Sequence, residues 1–132
     1  METILVADDE AQVRSLARDI LLSAGYRVLE AEDGEQALHL AEEHSGAIHV
    51  LLTDLIMPGI NGKELADRLA AARTDTKMIF MSGRASEVIS DAGVVVPIDA
   101  FLAKPFTAER LLNKVRERIE HCSPFSRPSS VS

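Results

Sequence analysis

Cysteine is almost absent from this chain of 132 residues. Cys122 stands alone, so no internal disulfide can form, which fits a reducing, cytoplasmic setting. Near the end of the last helical segment, it reads as a spare thiol. Positive charge is also scarce: 14 Lys and Arg face 21 Asp and Glu, a net charge of -7. There is no basic stripe, so no nucleic-acid partner is expected. No apolar run reaches the length of a membrane span, and the N-terminus lacks the basic start and cleavage site of a signal peptide. No membrane contact and a cytoplasmic location are therefore expected. There is no internal repeat and no P-loop. The nearest approach to G-x-x-x-x-G-K-[ST] is Gly59-Ile60-Asn61-Gly62-Lys63-Glu64, too short and ending in Glu.

What is present suits one domain. Hydrophobic residues make up 46% and charged residues 27%, an ordinary balance for a chain able to bury a core. Two periodicities alternate along it. Short β-rich runs occur at Ile4–Ala7, Tyr26–Ala31, Ile48–Thr53, Met78–Met81 and Ala100–Ala103. Between them lie helical stripes. Val13, Leu16, Ala17, Ile20, Leu21 and Ala24 form the first, with Gly25 as its C-cap glycine. Leu38 and Ala41 mark a second, ended by His44-Ser45-Gly46, and Leu65, Leu69 and Ala72 mark a third. Ser86 to Ala92 predicts a short fourth helix, and 91–99 reads as a loop. Leu111, Leu112, Val115 and Ile119 mark the fifth, with Thr107 as its N-cap. The alternation predicts (βα)5, a parallel sheet covered by helices on both faces. Residues 123–132, with two prolines and five serines and no period, read as a disordered tail after a domain spanning 1–122.

The strand ends collect chemistry. In an open α/β sheet, ligands bind at the carboxyl ends of the strands. The first strand is followed at once by Asp8, Asp9 and Glu10; the third ends at Asp54, the fourth at Ser82 and the fifth at Lys104. Taken singly, each has a plain explanation: Asp9 as a helix cap, Ser82 in a turn before Gly83, Lys104 as a solvated charge. Their recurrence after successive strands argues for one site. Three aspartates facing one lysine leave two negative charges in excess, a conflict that a divalent cation removes. An all-oxygen set with few protein ligands suits Mg²⁺. A carboxylate nucleophile, a hydroxyl, an ammonium and Mg²⁺ together match phosphoryl transfer onto Asp54.

These residues carry a resemblance. Asp8-Asp9 after "ILVA", Asp54 in "LLTDLIMPGINGKEL", Ser82 in "IFMSGRA" and Lys104 in "FLAKPF" occur in order, with Phe101 three residues ahead of Lys104. Along residues 3 to 121 the chain resembles the receiver domains of bacterial two-component signalling. The phrases "ETILVADDE", "FMSG" and "FLAKPFT" look most like receivers of hybrid sensor histidine kinases. The resemblance implies a flavodoxin-like three-layer sandwich with strand order 2-1-3-4-5. It implies that Asp54 takes phosphate from a phosphohistidine on a histidine kinase or histidine phosphotransfer protein. It also implies that Asp9 and Asp54 ligate Mg²⁺ directly, Asp8 through water, and that the Ile56 backbone carbonyl completes the set. Ser82 and Phe101 stand at the positions of a conformational switch, and the Lys104-Pro105 bond is expected to be cis.

Other readings fare worse. Phosphatases of the haloacid dehalogenase type place a second Asp two residues after the first, where this chain has Ile56. An acid-lined edge would repel a flavin phosphate. His39, His44, His49 and His121 lack metal-site spacing and read as surface residues. The remaining alternative is a docking module that is never phosphorylated, although such a module would usually have lost an acid, the hydroxyl or the lysine. No output domain is expected after the receiver, only the Ser/Pro-rich tail.

Overall fold

The computed structural model describes residues 2–83 and 100–120. The segment predicted as a fourth helix, the 91–99 loop, His121, Cys122 and the 123–132 tail lie outside the described residues.

Five parallel strands form one sheet in the order β2-β1-β3-β4-β5: β1 (Thr3–Ala7), β2 (Arg27–Ala31), β3 (Val50–Asp54), β4 (Lys77–Ser82) and β5 (Phe101–Ala103). All five residues of β1 and of β3 are buried, because central strands have helices on both faces and so read as continuous apolar runs. β2, at one edge, is only partly covered. Four described helices, α1 (Ala11–Ser23), α2 (Gly34–Glu43), α3 (Gly62–Ala72) and α4 (Ala108–Glu120), complete the flavodoxin-like layers.

Alternation along the strands assigns the two cores. Leu5, Leu51 and Phe80 face α2 and α3, meeting Ala37, Ala41, Leu65 and Leu69. Ile4, Val6, Leu52, Ile79 and Met81 face α1 and α4, meeting Ala17, Leu21, Leu111 and Val115. Side-chain caps start three helices. Asp33 accepts from the Gln36 N–H at 2.8 Å, Asn61 from the Glu64 N–H at 2.8 Å, and Thr107 from the Arg110 N–H at 3.1 Å. Gly25, at φ +94°, ends α1 in the left-handed conformation expected of it.

Several details differ from the sequence reading. Asp54 and Ser82 are the last residues of β3 and β4 as expected, but β5 ends at Ala103 and leaves Lys104 one residue beyond the strand. Asp9 does not cap α1: the N-cap is Glu10, and no side chain caps that end. On α1, Leu16 leaves the buried stripe at 49% exposure and Ala24 is exposed. His49 is not a free surface residue, since its Nδ1 accepts the Thr3 N–H at 3.0 Å across the start of β1.

Candidate functional site

The site is built from the carboxyl ends of β1, β3, β4 and β5. Asp8, one residue beyond β1, is fully buried. Its N–H donates to the Ala31 carbonyl at 3.1 Å, and its Oδ1 accepts the Glu10 N–H at 2.9 Å. Its Oδ2 takes no well-aligned hydrogen bond and is held by charge alone, 3.0 Å from Lys104 Nζ. Lys104 comes directly after β5, where its N–H donates to the Ser82 carbonyl at 2.9 Å; the Lys104-Pro105 bond is cis, as expected. Its ammonium also lies 3.2 Å from Asp54 Oδ2 and 3.2 Å from Glu10 Oε1. One cation thus meets three carboxylates.

Burial of the site shows in the protonation of Asp54. Burial pushes its carboxyl up to about 6 from an ordinary 3.8. Lys104 opposes the rise, the Asp8 charge adds to it, and hydrogen bonds from Lys104 and the Ile56 backbone oppose it. For Lys104, burial would lower the pKa, but the close Asp8 carboxylate and the charge of Asp54 outweigh it and hold the ammonium above its ordinary value.

Among the described residues, carboxylate oxygens of Asp8, Glu10 and Asp54 lie within 4.8 Å of one another. The donors are all oxygen, one buried oxygen lacks a hydrogen bond, and negative charge is in excess, so the set fits a hard divalent cation. Asp9 is exposed and lies outside this trio. Ile56, two residues past Asp54, turns its side chain outward at 48% exposure. Ser82 is buried opposite Ala103 in the β4–β5 ladder. Phe101, opposite Phe80, is partly buried against the α2–α3 core.

Two residues at the site had no assigned role. Glu10 was visible only as the third acid after β1, and its link to Lys104 spans 94 positions of chain. Gly62 enters the sequence reading by number only in the rejected P-loop comparison, and its reason is spatial: a Cβ there would overlap the Asp54 carbonyl oxygen. Beside Lys104, a largely apolar hollow of about 360 Å³ is lined by Val13, Leu16, Gly83, Lys104, Pro105 and Phe106, which accounts for the exposed Leu16.

Comparison with known proteins places this geometry in context. Residues 4–116 match the family described as response regulator receiver domain. The chain is 36% identical over 121 residues to the sensor kinase CckA of Brucella abortus, covering 89% of this chain and 12% of that protein. It is 36% identical over 118 residues to the transcriptional regulatory protein CpxR of Escherichia coli, covering 88% of this chain and 48% of that one. The chain therefore spans half or less of these relatives. Among solved structures it is similar to the receiver domain of the hybrid histidine kinase CckA, with TM-score 0.73, 38% identity, and coverage of 89% of this chain and 98% of that one. It is also similar to the response regulator TrrA of Thermotoga maritima in complex with Mg²⁺ and BeF, with TM-score 0.74, 33% identity, and coverage of 89% and 98%.

Proposed function

This chain belongs to the response regulator receiver domain family of two-component signalling, and we propose that Asp54 is its phosphoacceptor, taking a phosphoryl group from a phosphohistidine on a partner histidine kinase or histidine phosphotransfer protein. The observation that carries this reading is the Lys104 ammonium, 3.2 Å from Asp54 Oδ2 and 3.0 Å from Asp8 Oδ2. It lies where charge develops on a group arriving at Asp54. A carboxylate oxygen of Asp54 forms the new bond to phosphorus as the bond to the donor's imidazole nitrogen breaks, and that nitrogen keeps the electron pair. Lys104 and the Ser82 hydroxyl bind the oxygens of the transferring group. When bound, Mg²⁺ would neutralise charge on those oxygens; Asp9, Asp54 and the Ile56 carbonyl would hold it directly and Asp8 through water. Burial raises the pKa of Asp54, with the Asp8 charge adding to the rise, so a cation beside the carboxylate would favour its ionised, nucleophilic form.

The new phosphoryl group adds charge and acceptor oxygens beside Ser82. Ser82 is drawn toward it, space opens next to β5, and Phe101 turns inward, which alters the surface shared by β5 and α4. Similarity to a hybrid kinase receiver supports an origin in that kind of protein. No described helix is long and apolar enough to cross a membrane.

Incubation with acetyl phosphate tests the reading. Intact mass should show one added phosphate with Mg²⁺, none after chelation, and none in Asp54→Asn. A wild-type protein that takes up no phosphate under these conditions would instead be a docking module.

A further inference from the structure

We propose that Arg14 is a positioning residue for the acidic loop, holding the peptide between Asp8 and Asp9 in the orientation that cation binding needs. The inference rests on the phosphoacceptor reading and extends it to a residue that touches neither phosphate nor metal. The β1–β3 register ends at Ala7 opposite Thr53, so the Asp8 carbonyl lies beyond the ladder. Arg14 Nη1 donates to that carbonyl at 2.7 Å. A bond from a charged donor is about twice as strong as a neutral one. The same guanidinium is steadied from the other side: its Nε lies 3.7 Å from Glu30 Oε1 on β2, and Glu30 Oε2 lies 3.4 Å from Arg18 Nη1. The Arg14 side chain is only 18% exposed, so this bridge is partly shielded from water.

Three groups of Asp8 then have hydrogen-bonded tethers. Its N–H is tied to β2 through Ala31, its Oδ1 to the Glu10 N–H, and its carbonyl to Arg14. The carbonyl tether is the one that sets the peptide plane leading into Asp9. A fork is required, because one group must reach a carbonyl with one nitrogen and a carboxylate with another; a lysine ammonium meets only the first demand well.

The sign of the effect separates positioning from simple charge. Arg14 is a cation near a site for a cation, so by Coulomb's law alone its removal should tighten Mg²⁺ binding. Positioning demands the reverse.

Calorimetric titration with MgCl2 of wild type, Arg14→Gln, Arg14→Lys and Glu30→Gln decides between them. The dissociation constant should rise about tenfold in Arg14→Gln, the usual scale for groups that orient metal ligands. Arg14→Lys should lie between that variant and wild type, and Glu30→Gln should show a smaller rise. At saturating Mg²⁺, phosphorylation from acetyl phosphate should regain most of its wild-type rate, since Arg14 does not touch the reacting atoms. In the metal-free protein the Glu10 amide should exchange faster in Arg14→Gln, because its acceptor on Asp8 is loosened. Unchanged or tighter Mg²⁺ binding, with unchanged Glu10 exchange, overturns the proposal. If Arg14→Gln does not fold, Arg14→Lys and Glu30→Gln carry the same test. A wild type that binds no Mg²⁺ and takes up no phosphate refutes the phosphoacceptor reading, and Glu10 exchange then still decides whether Arg14 orders the loop.

Discussion

Gly62, the first residue of α3, packs against the carbonyl oxygen of Asp54 with no room between them for a side chain. Its N–H donates to the Leu55 carbonyl at 2.9 Å, so the start of α3 is fastened to the backbone that carries the acceptor. Gly62→Ala should therefore push Asp54 out of place and cost about 2 kcal/mol, as overpacking does. Gly59, at φ +81° with open space around its Cα, makes the contrast. There alanine costs only the left-handed backbone penalty, about 1 kcal/mol. Urea unfolding checks both values, and phosphate uptake should fall far more in Gly62→Ala.

Removal of the Lys104 ammonium exposes the conflict among the acids. Lys104→Met leaves Asp8 buried with a charge and no ammonium beside it, which should cost about 3 kcal/mol in metal-free buffer. Mg²⁺ supplies the missing charge, so the variant should gain more stability from it than wild type does. Thermal melts with and without MgCl2 check this. An equal gain in both proteins would mean that the cation does not sit among these carboxylates.

Stability should depend on pH through Asp54. Its folded pKa, about 6, lies above the ordinary 3.8. Between those values the folded state binds the proton more tightly, so the contribution of Asp54 to stability falls as pH rises through this window. Above it the ionised, buried carboxylate is a fixed burden. Asp54→Asn should remove this slope and raise the melting temperature of the metal-free protein at pH 7 by a few degrees, on the order of 1 kcal/mol. Melts from pH 4 to 7.5 read the slope.

The acids after β1 should separate by function. Asp9→Ala should weaken Mg²⁺ binding more than Asp8→Ala, because the direct bond is assigned to Asp9. Glu10→Ala should leave affinity nearly unchanged, since Glu10 touches Lys104 from an exposed side chain. Calorimetry on the three variants gives the order. If Glu10→Ala shows the largest loss, the compact trio of Asp8, Glu10 and Asp54 is itself the binding set.

Coupling to Phe101 is tested with beryllofluoride. Amide shifts should spread from the site to Phe101 and α4 in wild type, and stay near the site in Ser82→Ala. The driving contact is a charge-assisted hydrogen bond of roughly 1.5–3 kcal/mol, enough to move an equilibrium between two existing conformations. Equal spreading in both proteins would show that Ser82 is not the coupler.

Sequence alone determined the layers of this protein. Period-two and period-3.6 patterns are local, so the five strands, the four described helices and most of their apolar faces could be read without coordinates. The acids, hydroxyl and lysine at the strand ends were legible for a related reason: a parallel sheet brings the carboxyl ends of all its strands to one edge. Tertiary structure decided everything that depends on distance across the chain. It brought Glu10 to Lys104, set Gly62 against the Asp54 carbonyl, took His49 off the free surface to accept from Thr3, and left Leu16 outside the buried stripe beside the Lys104 hollow. It also set the burial that raises the Asp54 pKa, because burial and charge spacing belong to the folded arrangement and to no stretch of sequence.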